Sequence, residues 1–362
     1  MCRAFNSIGV DVILVLNNPD NIKKKNVYKI LETQYGKPIE FDLVLNSSSI
    51  IKHKKLGKYF NTSYYKKLIK QISPDLCFVR SPLMMKACIQ ANTKYIYELH
   101  NNIMHQGSRL LSKYWCQILI NEASNNRLIK IITISRNLKK FWVTKGIDES
   151  RIIALHDGVH TEMFRSETSQ EEARRKLGLP SKGKIILYSG SLYDNREMGN
   201  ILILADKIQE ANFVVVGGPE NNAKELSQQA INKGLNNIIF SGRQPHIKIP
   251  QYLFAADVLL ALWSKKVPTI NYCSPLKLFE YMAAGRIIVA HGFPTITEVL
   301  MDNVNAFIAA PENFQNLLMR VKEALNTTYP NEIGKKARQL ALKEYSWETR
   351  AEKILKACWL DD

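Results

Sequence analysis

Lys277 and Glu280 stand three residues apart in Ser274-Pro275-Leu276-Lys277-Leu278-Phe279-Glu280-Tyr281-Met282-Ala283-Ala284-Gly285-Arg286, a segment that runs directly into the apolar stretch 287–290. A Ser-Pro start and a Gly stop predict a short helix followed by a buried strand. The first turn of such a helix leaves backbone N–H groups without intrahelical partners, and those groups attract phosphate. At a spacing of three, Lys277 and Glu280 occupy neighbouring parts of one helical face, while Leu278, Phe279 and Met282 can fill the other. A cation, a carboxylate and a helix start suit an anionic, hydroxyl-rich ligand. The same pattern also describes an ordinary amphipathic helix, and the segment alone leaves both readings open.

Further candidates follow other expected strands. After 185–188 come Ser189-Gly190-Ser191-Leu192 and then Asp194-Asn195-Arg196. Gly190 permits close backbone approach, and Arg196 can grip phosphate oxygens with two prongs. After 213–216 comes Gly217-Gly218-Pro219, and after 238–240 comes Ser241-Gly242-Arg243-Gln244-Pro245. Ligands of open α/β domains bind beyond the carboxyl ends of strands, so this convergence of Gly and Ser-Pro loops points to a nucleotide diphosphate. In the first half, His100 follows the strand expected at 95–97, where a neutral imidazole can bond a sugar hydroxyl or a developing charge; a satisfied core histidine is the competing reading. The remaining histidines show no metal-site spacing, and no Asp-x-Asp is present to hold Mg²⁺ or Mn²⁺ against a diphosphate. No metal or other cofactor is expected.

The elements that must position these residues alternate short β-branched runs with longer amphipathic stretches, the pattern of parallel sheets flanked by helices. Strands are expected at 12–16, 40–45, 76–79, 95–97, 131–134 and 152–154. A second series is expected at 185–188, 213–216, 238–240, 258–260, 287–290 and 306–308, with helices at 313–325, 333–344 and 347–359 closing the chain. The fold class is therefore α/β, two Rossmann-like doubly wound domains. The domains are placed at 1–165 and 166–345, with 346–362 returning to the first, and the break between them is read in the charged, Gly/Pro-punctuated stretch that follows 165, at 167–184. Residues 1–7 read as the tail of a helix, so the first strand and glycine-rich loop usual for such a domain are read as missing from this sequence.

At 362 residues, 46% apolar and 23% charged, the chain is long enough for two packed cores. Its net charge of +17 is uneven: residues 1–165 carry 26 Lys+Arg against 12 Asp+Glu, a net of +14, and the remainder 24 against 21, a net of +3. Clusters such as Lys23-Lys24-Lys25, Lys52-His53-Lys54-Lys55 and Lys66-Lys67 predict an anionic surface as partner, with acidic lipid headgroups or a polyanionic acceptor favoured. Charge alone supports nucleic acid, and no helix-turn-helix, stacking motif or zinc module accompanies it. Six cysteines without C-x-x-C spacing suit a reducing compartment, and no stretch is apolar enough to span a membrane. A cytoplasmic protein with peripheral contact at the inner face of the membrane is expected.

Taken in order, Glu98-Leu99-His100, Ile132-Thr133-Ile134-Ser135, Gly158-Val159 with Phe164, Tyr188-Ser189-Gly190-Ser191-Leu192, Val216-Gly217-Gly218, Gly242-Arg243, Ala256-Asp257-Val258, the segment at 274–290 and Glu344-Tyr345-Ser346-Trp347 resemble the family 4 retaining glycosyltransferases of the GT-B fold. The resemblance covers nearly the whole chain. It implies transfer of a sugar from a UDP- or GDP-sugar to an acceptor hydroxyl, with the acceptor bound by the first domain and the donor by the second; the basic charge of the first domain suits a membrane-facing acceptor, a lipid-linked or cell-surface glycan intermediate. It also implies residue roles: Glu280 on the ribose hydroxyls, Gly242 and Arg243 near the base, and Arg196, Lys277 and the backbone of Ser274, Pro275 and Leu276 on the diphosphate. Gly190 and Ser191 would lie beside the donor and His100 beside its sugar. The chain departs from the family pattern at Tyr272, where a sugar-reading glutamate is usual, at Ser191, where a basic residue is usual, and at Glu197, where glycine is usual. Two other readings stand beside transfer: a nucleotide-sugar 2-epimerase of the same fold, and a non-catalytic nucleotide-sugar-binding or scaffold protein.

Overall fold

The computed structural model describes residues 1–18, 20–46, 57–102, 108–165, 168–328 and 330–359. The basic run at 52–55 and His105 lie outside these residues. The chain divides into two compact units, Met1–His156 with Glu348–Asp362, and Asp157–Trp347.

In the first unit, β1 (Ile13–Asn17) and β2 (Asp42–Asn46) form a parallel pair, and β3 (Cys77–Val79), β4 (Tyr95–Leu99), β5 (Leu128–Thr133) and β6 (Ile152–Ala154) form a parallel sheet in that order. All five residues of β4 are buried, as a central parallel strand covered on both faces must be. One of them is Glu98. Its carboxylate accepts from Arg350 Nη2 at 2.6 Å and from Arg80 Nε at 2.5 Å. Arg350 belongs to the helix Trp347–Trp359 and also donates to His156 O at 2.8 Å, which fastens the last segment of the chain to the unit containing its beginning. A short helix, Cys2–Ser7, precedes β1 and packs Phe5 edge-on to Phe78 at 6.0 Å between ring centres.

The second unit carries one parallel six-stranded sheet built from β7 (Lys184–Ser191), β8 (Ala211–Gly218), β9 (Ile238–Gly242), β10 (Val258–Ala261), β11 (Ile287–His291) and β12 (Phe307–Ala309), ordered β12-β11-β10-β7-β8-β9. Alternation along the strands divides the core into two layers. Ile185 and Leu187 pack with Val214, Leu259 and Ile288 on one face. Ile186 and Tyr188 pack with Phe213, Val215 and Leu260 on the other. The strand order reverses between β7 and β10, which creates a switch point where the loops beyond two neighbouring strands leave in opposite directions and open a crevice.

From residue 168 on, the stretch read as the break between domains carries a helix and lies in the second unit. Helix Gln170–Leu177 starts at Ser169, whose hydroxyl accepts from Glu172 N at 3.1 Å, and stops at Gly178 in the left-handed region. Its Arg174 is buried against Asp257, Nη2 to Oδ2 2.7 Å, and donates to Ala255 O at 3.0 Å. High local charge reflected one buried ion pair and the solvated face of a helix. Residues 157–165 likewise join the second unit, because Val159 N donates to Tyr345 O at 2.8 Å and Phe164 packs edge-on to Phe254. The division therefore falls at 156/157.

Candidate functional site

Helix Leu276–Ala284 lies between β10 and β11 and ends at Gly285, whose φ of 69° favours glycine. Leu278, Phe279, Tyr281 and Met282 are fully buried, more of the helix surface than an amphipathic pattern predicts. Tyr281 Oη accepts from Ser189 N at 2.7 Å and donates to Ser189 O at 3.2 Å, which pins the helix against the carboxyl end of β7. No side chain caps the helix start. The Ser274 hydroxyl instead accepts from Asp157 N at 2.8 Å, so Ser274 serves the chain entering this unit while the backbone beyond it keeps the unfilled helix start.

Lys277 points into the switch point. Its Nζ lies 4.2 Å from the centre of the Tyr188 ring, on β7, and 4.5 Å from that of Trp263, just beyond β10. Facing π systems of this kind attract a cation. Burial nevertheless pushes the Lys277 amine well below its ordinary value, and the nearby Arg196 charge pushes the same way, against a partial opposing pull from Glu280. Arg196 closes the 3-10 turn Asp194–Arg196 and donates through Nε to Ser191 Oγ at 3.3 Å. Gly190 completes the pocket: a Cβ there would stand 3.5 Å from Lys277 Nζ, in space that a ligand of this cation needs. The backbone beneath is equally tight, since a Cβ on Gly217 would meet Gly190 O at 1.7 Å. Gly190, Ser191, Arg196 and Lys277 are thus brought together, two cations sharing a partly desolvated recess.

Glu280, one turn along the same helix, carries the imidazole of His246, Nε2 to Oε1 2.6 Å. That contact raises His246 above the usual histidine range, against the downward push of burial. Gly242 has a φ of 63°, and the exposed Arg243 sits beside Gly218 on the neighbouring strand end. His100 lies in the first unit, where its Nε2 is 3.5 Å from Glu98 Oε2. Burial alone would raise the Glu98 carboxyl, but the contact with His100 and the Arg350 and Arg80 charges outweigh it and hold the group well below the usual carboxylate range. Among the described residues, no group of three or more His, Cys, Asp or Glu is placed to hold a metal ion.

Two family models match, one described as Glycosyltransferase Family 4 over residues 1–163 and one as Glycosyl transferases group 1 over residues 169–340. The chain belongs to the family 4, or group 1, glycosyltransferases. Among curated relatives of this chain is a protein of Escherichia coli K12 named for colanic acid biosynthesis, the glycosyl transferase WcaI, 24% identical over 212 residues that cover 57% of this chain and 51% of WcaI. The chain spans about half the length of the curated relatives it matches. Solved structures show the same GT-B fold. A glycosyltransferase from Rickettsia africae superposes with a TM-score of 0.77 at 17% identity, covering 98% of this chain and 91% of its own. Anabaena Alr3699/HepE, solved with UDP-glucose, gives 0.69 at 18% identity, covering 94% and 90%.

Sequence reasoning passed over several residues in and around this recess. Tyr188 lies within the motif that carries the resemblance, yet its ring could be assigned to Lys277 only once β7 and β10 were known to be neighbours. Trp263 and His246 showed no local signal. His291, fully buried on β11, binds Trp263 O through Nδ1 at 2.7 Å and lies 3.6 Å from Glu197 Oε2. Burial raises Glu197 above the usual carboxylate range.

Proposed function

We propose that this protein is a retaining glycosyltransferase that moves a sugar from a UDP- or GDP-sugar to a hydroxyl of a lipid-linked or cell-surface glycan intermediate, without a metal. The observation that carries the reading is the pair of cations, Arg196 and Lys277, held in one recess at the switch point beside an uncapped helix start. Two like charges repel, burial adds a desolvation cost, and an anion with several oxygens relieves both. A diphosphate has the charge and the reach.

In this reading the second unit binds the donor and the first the acceptor. Arg196, Lys277 and the backbone of Ser274, Pro275 and Leu276 stabilise the charge that grows on the departing diphosphate, the main electrostatic contribution to rate. Glu280 takes the ribose hydroxyls, Gly242 and Arg243 border the base, and Gly190 and Ser191 allow close approach. The acceptor hydroxyl attacks from the face the leaving group vacates, so no protein nucleophile is required. HepE, solved with UDP-glucose on the same fold, agrees with a donor of this class. A thermal-shift screen of UDP- and GDP-sugars tests it: one donor class should raise the melting temperature by mass action. No shift with any nucleotide sugar would remove the reading, and product formed from donor alone would replace transfer with epimerisation.

A peripheral place on an anionic cytoplasmic membrane surface fits the helix Arg109–Ala123. Leu110 is 81%, Leu111 43% and Tyr114 49% exposed, interleaved with Arg109 and Lys113. Apolar and aromatic side chains among basic ones suit an acidic lipid interface. No helix among the described residues is long and apolar enough to cross a membrane. The protein should sediment with anionic vesicles at low salt and not with neutral ones, and replacing Leu110 and Tyr114 with Glu should weaken this; equal recovery with both vesicle types, or with neither, refutes membrane docking.

A further inference from the structure

We propose that His246 is a positioning residue of the nucleotide site: by holding one oxygen of Glu280 it aims the other at a vicinal diol, and so sets how strongly a ribose is preferred to a 2′-deoxyribose. The inference rests on the nucleotide-sugar reading above.

His246 opens the 3-10 turn His246–Lys248, directly after the Gly242-Arg243 loop at the end of β9. Glu280 projects from helix Leu276–Ala284, and 34 positions separate the two residues. Their contact of 2.6 Å is short and charge-assisted. It uses Glu280 Oε1 and the imidazole Nε2 only. A free glutamate retains several rotamers, and ordering it on a ligand carries an entropic cost. A glutamate already fixed by a neighbour has lost that freedom before the ligand arrives.

The other face of the ring supports a role beyond packing. His246 Nδ1 is buried and has no hydrogen-bond partner. Buried polar atoms in folded proteins are overwhelmingly satisfied, so an unsatisfied one calls for an explanation. His246 is not a core residue, since its side chain is 36% exposed overall. The ring is therefore held through its contact with Glu280 and not by a second hydrogen bond of its own. Because Glu280 also raises the imidazole pKa, the ring keeps its positive charge to higher pH than an ordinary histidine does. A diol beside a diphosphate is the chemistry such a pair recognises.

The test compares binding of UDP, GDP and their 2′-deoxy forms by calorimetry to the unaltered chain, His246→Ala, His246→Gln and Glu280→Ala. One hydrogen bond to a charged group corresponds to a preference for ribose of about tenfold or more in the unaltered chain. His246→Ala should lose most of that preference while binding the deoxy form within about twofold of the unaltered chain, the direction expected when only the diol contact is disturbed. His246→Gln, which keeps an N–H donor, should restore part of it, and Glu280→Ala should abolish it. Full ribose preference in a folded His246→Ala overturns the role of His246 alone. Failure of the unaltered chain to bind any nucleoside diphosphate overturns this inference together with the nucleotide-sugar reading.

Discussion

Lys277→Met should weaken binding of a nucleoside diphosphate at least tenfold, and the binding that remains should no longer take up a proton. The first half follows from the loss of one charge-assisted contact, worth about 1.5–3 kcal/mol. The second follows from the environment of the amine. Burial first, and the Arg196 charge second, hold the Lys277 pKa well below its ordinary 10.5, so the amine keeps its proton less firmly than an exposed lysine does. A diphosphate placed over the two cations favours the charged form and draws a proton from the buffer. Calorimetry in two buffers of different ionisation enthalpy measures that proton directly. Arg196→Ala should also weaken binding, but it relieves the repulsion on Lys277 and therefore should reduce the proton uptake as well. In turnover, loss of either cation should cost roughly 10²–10³, the usual effect of removing one preorganised charge-stabilising group. Unchanged affinity in both variants would detach the recess from the diphosphate.

Glu98→Ala should destabilise the first unit by about 3–5 kcal/mol, the cost of leaving a buried charge without its counterion. The Arg350 and Glu98 side chains are 2% and 0% exposed and meet at 2.6 Å, so water cannot replace the lost partner. The Arg80 contact contributes less, because half of that side chain is solvated. Arg350→Met should be similarly severe, and the double variant Glu98→Leu/Arg350→Met less so than the two effects added, since removing both charges leaves neither unpaired. The pH dependence has a definite sign. Glu98 is held below its ordinary 4.5 in the folded state, so its contribution is complete above that value and is lost as pH falls beneath it. Urea titrations at neutral pH and below pH 4.5 should show the gap between Glu98→Ala and the unaltered chain narrowing with acid. A gap that stays constant, or a neutral-pH effect within experimental error, would mean the pair does not stabilise the unit.

The second unit was largely legible because its signals are local. Short β-branched runs between turn residues placed β7 to β12 within a few positions, and the Ser-Pro start and Gly285 stop bounded the helix that carries Lys277 and Glu280. Helix Gln170–Leu177 was equally marked, by Ser169 before two glutamates and by Gly178 after, yet its charge and the nearby Pro and Gly favoured a linker reading. What charge density could not reveal was Arg174 turned inward onto Asp257, 83 positions away.

The sequence alone determined which groups exist and which local elements bear them: a phosphate-ready helix start, a lysine and glutamate on one helix, an arginine after a glycine turn, and the order of motifs that marks the family. Only the tertiary structure decided their partners. Tyr188 and Trp263 flank Lys277 because the strand order sets β7 beside β10; His246 reaches Glu280 across 34 positions, and Arg350 reaches Glu98 across 252. Periodicity and turn chemistry act over a few residues and are written in the chain, whereas desolvation and pairing depend on which distant elements the sheet makes neighbours.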